Sequence, residues 1–104
     1  MARARLLKPS FFTNARLSAV PPHGRLLFAG LWTLADREGR LRYEPRWLKG
    51  ALFPYERVPI DRLITMLIEG GFITRYESGG EWFLEIVNFL KHQSPHIKEP
   101  ASTI

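Results

Sequence analysis

The stretch Pro59–Val87, PIDRLITMLIEGGFITRYESGGEWFLEIV, decides the fold. Ile60, Leu63, Ile64, Leu67 and Ile68 recur at i, i+3, i+4, i+7 and i+8, the spacing of one buried stripe on a helix over 59–71. Pro59 suits the first helical position, where no N–H is needed, and Asp61 places negative charge near the positive end of the helix dipole. Gly70-Gly71 is a stop, because glycine enters the left-handed conformation of a helix end without steric cost. Phe72–Glu77 is rich in β-branched and aromatic residues, Ser78-Gly79-Gly80 can reverse the chain, and Trp82–Val87 follows as a second strand.

Working back towards the N-terminus, Pro21-Pro22 opens a long helix. Its apolar residues Leu26, Leu27, Phe28, Leu31, Trp32, Leu34 and Ala35 cover more than one face, which predicts burial on two sides. Gly30 inside that helix costs about 1 kcal/mol of helix propensity, and close approach of another element would explain it. Asp36–Gly39 is a turn. Arg40–Tyr43 alternates polar and apolar as a half-exposed strand, with Trp82–Val87 as its expected partner in a three-stranded sheet. Pro45 starts another helix, with Trp47, Leu48, Ala51 and Leu52 as its apolar stripe and Arg46, Lys49 and Gly50 outward; Pro54 ends it. The connection 53–58 is longer than a tight helix-turn-helix turn. Phe11, Phe12 and Leu17 suggest a short lead-in helix, with Thr13 or Asn14 as a cap. The order helix, strand, helix, helix, strand, strand is that of an α+β winged helix-turn-helix. Residues 11–96 form the domain, preceded by a loose basic arm over 1–10 and followed by a tail or linker over 97–104.

With 104 residues the chain is one domain with a modest core. It has no cysteine, which excludes disulfides and thiolate metal sites and fits a cytoplasmic protein. No apolar run approaches the roughly 18 residues of a membrane span. The net charge is +5 and uneven: residues 1–50 hold ten Lys/Arg against three Asp/Glu, residues 51–104 five against seven. A basic face of this kind attracts polyanions. There is no Gly-x-Ser-x-Gly and no phosphate-cradling P-loop, and Glu77 and Glu81 flank a turn where they should be solvated. His92 and His96 are four apart, but Pro95 argues against a helix that would pair them on a metal. No enzyme activity, cofactor or metal is expected.

Phe53-Pro54-Tyr55, the run Leu31-Trp32-Thr33-Leu34-Ala35-Asp36-Arg37-Glu38-Gly39, and Asn88-Phe89-Leu90-Lys91-His92-Gln93-Ser94-Pro95-His96 resemble the N-terminal domain of phage and prophage replication proteins of the replisome-organiser or replication-initiator type. The similarity runs from about Lys8 to Glu99. The resemblance implies a winged-helix domain that binds DNA, often followed by a linker and a segment that recruits replication proteins.

The physical reading of the surface is separate. Arg40, Arg42, Arg46 and Lys49 on the first strand and the helix after it, with Arg75 on the hairpin, are the candidate phosphate contacts. On the outward face of helix 60–69, Arg62 and Thr65 are nearest to base edges, whereas Asp61 and Glu69 would be repelled by phosphate. The hairpin tip, Glu77-Ser78-Gly79-Gly80-Glu81, is acidic. Two readings follow: a basic set that grips duplex DNA by its backbone, in replication or as a transcriptional regulator, or a winged helix that docks acidic proteins. A homodimer would add two weak half-sites, with Phe11, Phe12, Tyr76 and Trp82 as interface candidates.

Overall fold

Packing of Leu27 and Leu31 against Ile64 and Leu67 sets the centre of the molecule; all four side chains are fully buried. The computed structural model describes residues 2–93. These form an α+β structure of six helices and one three-stranded antiparallel sheet. The elements are α1 (Ser10–Thr13), α2 (Ala15–Ser18), α3 (Pro22–Leu34), β1 (Arg40–Arg42), α4 (Pro45–Leu52), α5 (Ile60–Glu69), β2 (Ile73–Ser78), β3 (Glu81–Ile86) and α6 (Phe89–His92). Among the described residues no helix is long and apolar enough to cross a membrane. The expectations for His96 and for the tail over 97–104 lie outside the described residues.

The apolar stripe of α5 is buried as its spacing requires, with Leu63, Ile64 and Leu67 inside. Pro59 sits one position earlier than expected: its ψ of 78° is not helical, so it flanks the helix and Ile60 begins it. At the other end Phe72 N–H donates to the Leu67 carbonyl and Gly71 N–H to that of Ile68, both at 3.0 Å. This crossed pair is a Schellman motif, and it needs the left-handed residue that Gly71 supplies at φ 80°. The hairpin turns on Gly79 and Gly80, with φ 60° and 81°, the two-residue loop whose twist matches that of paired strands.

Strand β3 is central, in the order β1-β3-β2. Leu41 lies opposite Leu84, and Ile73 opposite Ile86; all four are buried against the helices. Arg40, Arg42, Phe83, Glu85 and Tyr76 alternate onto the other face. Phe83 is buried there too, with Tyr76 stacked on it at 5.6 Å and the Arg42 guanidinium 5.8 Å from its ring centre.

In α3, a Cβ on Gly30 would stand 2.8 Å from Leu52, so glycine is what lets α4 close onto this helix. Several expectations need correcting. Leu26 is exposed, as are Trp47 at 49% and Ala51; within α4 only Leu48 is deeply buried, and Leu52 is half-buried. The long connection after α4 instead places Phe53 in the core, its ring edge-on to His23. Phe89 and Leu90, both apolar and expected from the sequence to close the core, part company: Phe89 is buried and Leu90 exposed. The lead-in segment is two single-turn helices rather than one, because Asn14 adopts an extended conformation and caps α2 through the N–H groups of Arg16 and Leu17.

The basic N-terminal segment is laid against the body instead of hanging loose. Arg3 N–H donates to the Thr33 carbonyl at 2.8 Å. Arg5 donates from Nε to the Trp32 carbonyl at 2.9 Å and from Nη2 to that of Ala35 at 3.1 Å, and it lies over the Phe89 ring. The last carbonyls of a helix lack intrahelical donors and carry partial negative charge, so a guanidinium at the end of α3 satisfies both needs.

Candidate nucleic-acid interface

The sheet register decides which arginines are available to a ligand. Arg40 stands directly across from Glu85, its Nε 3.6 Å from Oε2. Arg42 reaches diagonally along β3 to Glu81, Nη1 to Oε1 at 2.8 Å. Both pairs are solvent-exposed and individually weak, yet each places a carboxylate beside a cation expected to meet phosphate. Arg75 lies 5.0 Å from the ring centre of Tyr43. The Tyr43 hydroxyl donates to Asp61 Oδ1 at 2.6 Å, joining the end of β1 to the first turn of α5. Burial, then the hydrogen bond and charge of Asp61, push the Tyr43 hydroxyl pKa above its usual value, against a smaller opposing pull from Arg75. Burial likewise raises that of Tyr76.

The remaining candidates follow one another along α4 and α5. Arg46 is exposed and Lys49 half-buried on α4; Arg62 and Thr65 are exposed on α5. Among the described residues, Arg46, Lys49 and Arg62 have no ion pair or side-chain hydrogen bond. Arg62 borders a shallow apolar depression formed with Pro21, His23 and Met66. Asp61, Thr65 and Glu69 share its exposed face, so α5 offers one cation and two carboxylates outward. The seven candidates therefore divide. Arg40, Arg42 and Arg75 are engaged by neighbours on the sheet, whereas Arg46, Lys49, Arg62 and Thr65 lie on the two consecutive helices.

Three further residues belong to this stretch. Tyr55, in the connection between α4 and α5, is 94% exposed. Arg57, two residues on, is exposed and has no ion pair among the described residues. Trp47 is half in solvent on the outer side of α4. Tyr55 and Arg57 fall outside both helical stripes, which is the signal that could have found them: nothing in the periodicity buries them. Trp47 was masked by its own hydrophobicity, which placed it in the stripe.

Chemically, residues 46–62 combine four cations with two exposed aromatic faces. Such a surface can neutralise phosphates and offer stacking platforms. Among the described residues there is no group of three His, Cys, Asp or Glu side chains that could hold a metal ion. His92 is exposed on α6. No family model, curated protein or solved structure matches the chain.

Proposed function

We propose that this chain is a winged-helix domain that binds duplex DNA in phage-type replication initiation. The observation that carries the reading is the run Arg46, Lys49, Arg57 and Arg62, four cations without ion pairs among the described residues, interleaved with exposed Trp47 and Tyr55. In this reading α4 and α5 are the helix-turn-helix, and β2–β3 is the wing. Arg46, Lys49 and Arg57 grip the sugar-phosphate backbone, and Arg62 and Thr65 approach base edges from the exposed side of α5. Arg40, Arg42 and Arg75, expected from the sequence as phosphate contacts, stay engaged by Glu85, Glu81 and the Tyr43 ring and add little to the grip. The replication role is supported by the resemblance to replisome organisers and initiators, and a transcriptional regulator would use the same contacts.

The reading predicts modest, salt-sensitive affinity with little sequence preference, because backbone contacts outnumber base contacts. A fluorescence anisotropy titration of labelled duplex and single strand tests it. With three to four phosphate contacts, duplex affinity should fall about a hundredfold between about 50 and 200 mM salt.

The carboxylates that hold Arg40 and Arg42, together with the acidic tip Glu77 and Glu81, favour a second reading, a protein-docking domain. Absence of duplex binding at about 50 mM salt would select it.

A further inference from the structure

A second surface is built where the two ends of the described chain meet. Residues 6–17 and 86–93, with Gly71 and Phe72 just before β2 and one side of α3, enclose a cleft of about 200 Å³. Its floor is aromatic. Phe11 and Phe28 stand edge-on to Trp32 at 5.5 and 5.2 Å, Phe72 leans on Phe28 at 5.3 Å, and Phe89 closes the end. Its rim is basic, with Lys8, Arg16 and His92 among the lining residues, and no Asp or Glu among the described residues lines it. Arg16 is fixed in place, donating to the Gly70 carbonyl and lying over the Phe72 ring. At the edge Leu6 is 53% exposed, and Phe12, packed edge-on against Phe11, is 66% exposed.

The cleft is braced. The buried Gln93 side chain accepts from the Leu6 N–H at 2.8 Å and donates to the Leu6 carbonyl at 2.9 Å, so it pairs with the backbone as a neighbouring strand would. The N-terminal wall is thus locked to the end of α6. None of the lining residues belongs to β1, α4 or α5, so the cleft is separate from the candidate nucleic-acid interface.

We propose that this cleft docks an acidic, amphipathic peptide segment of a partner protein, one large apolar side chain seated on the aromatic floor and flanking carboxylates on Lys8, Arg16 and His92. Two observations select that occupant. A volume near 200 Å³ is below the roughly 300–1,000 Å³ of a small-molecule site, so it takes a side-chain anchor and not a whole ligand. A rim that carries Lys8 and Arg16 and, among the described residues, no carboxylate selects an anionic partner and disfavours a second copy of this basic chain.

The test is NMR titration of the full-length, isotope-labelled chain. The probe is a capped peptide with a Phe-Leu pair inside six Asp/Glu residues. The controls are the same peptide with Ala-Ala at the centre, and one with Lys replacing every acid. The acidic Phe-Leu peptide should shift resonances of Phe11, the Trp32 indole, Phe89 and His92, and both controls should bind at least about tenfold more weakly. Combining Lys8→Glu with His92→Glu should lower affinity for the acidic peptide about tenfold while the rest of the spectrum holds. Shifts gathered on α4 and α5, no saturation at millimolar peptide, or equal binding of the Ala-Ala peptide would each overturn the proposal. So would concentration-dependent shifts at the cleft without peptide, which assign it to a second copy, or contacts there from residues 94–104. None of these outcomes bears on the duplex titration, which reads different residues.

Discussion

Tyr43 donates its hydroxyl hydrogen to Asp61 Oδ1 at 2.6 Å, and this bond fixes the start of α5 against the end of β1. The two residues are 18 apart in the chain, so the contact is tertiary. It also keeps Asp61 occupied at the dipole-favoured end of its helix. Tyr43→Phe should cost about 1 kcal/mol of stability at neutral pH, measured by urea unfolding. The raised Tyr43 pKa gives this contribution a pH window. The neutral hydroxyl is favoured in the folded state, so the stabilisation is complete below the unfolded tyrosine pKa of about 10 and disappears as pH climbs through the higher folded value. The gap between the wild type and Tyr43→Phe should therefore narrow above about pH 10.

Gly39 and Gly79 both have positive φ, 84° and 60°, but their surroundings differ. A Cβ on Gly39 would stand 2.6 Å from Phe89 Cβ, which cannot swing away, whereas one on Gly79 would meet open space. Gly79→Ala should cost about 1–2 kcal/mol from backbone strain alone. Gly39→Ala should cost at least about 2 kcal/mol more, because the clash forces the Phe89 backbone to shift. Thermal unfolding of the two variants side by side measures the difference.

Gln93 is buried and makes both of its side-chain hydrogen bonds with one residue, Leu6. Gln93→Leu should leave the Leu6 N–H and carbonyl without these partners and cost about 1–3 kcal/mol. Hydrogen exchange at the Leu6 amide should speed up well beyond the global change in stability, because residues 3–8 lose their anchor to α6.

Much of this architecture is legible locally. The stripe from Ile60 to Ile68, the glycine pair after it and the glycine pair at the hairpin each name their own conformation, and they are found within a residue of where the pattern puts them. The pairing of β1 with β3 is also accessible, since Arg40–Tyr43 alternates and has one unclaimed partner. What local pattern does not carry is register. Whether Arg42 meets water or Glu81 depends on which residue of β3 lies opposite, and a three-residue strand holds too little pattern to say. Trp47 misled because the hydrophobicity of a side chain does not tell how far the neighbouring helix reaches; in this stretch it is Leu48 and Phe53 that reach the core, with Leu52 packed against it. The N-terminal segment read as loose because its bonds run to backbone carbonyls of Trp32, Thr33 and Ala35, groups no side-chain pattern reveals.

Arg42 shows how little the exposed pairs add to stability. Arg42→Ala should change the unfolding free energy by less than about 1 kcal/mol, since Glu81 and Arg42 are both half in solvent. Any larger loss, measured by urea unfolding, would come from uncovering Phe83, which the guanidinium overlies.

In the proposed complex the cations of residues 46–62, and not those on the sheet, meet DNA. Anisotropy titration of one labelled 20-base-pair duplex at about 100 mM salt compares Arg46→Ala/Lys49→Ala/Arg57→Ala with Arg40→Ala/Arg42→Ala. The first variant should lose at least about tenfold in affinity, with a salt slope shallower by about 2 to 3, and the second should change by no more than about twofold. Equal losses in both, or no duplex binding by the wild type at about 50 mM salt, would contradict it.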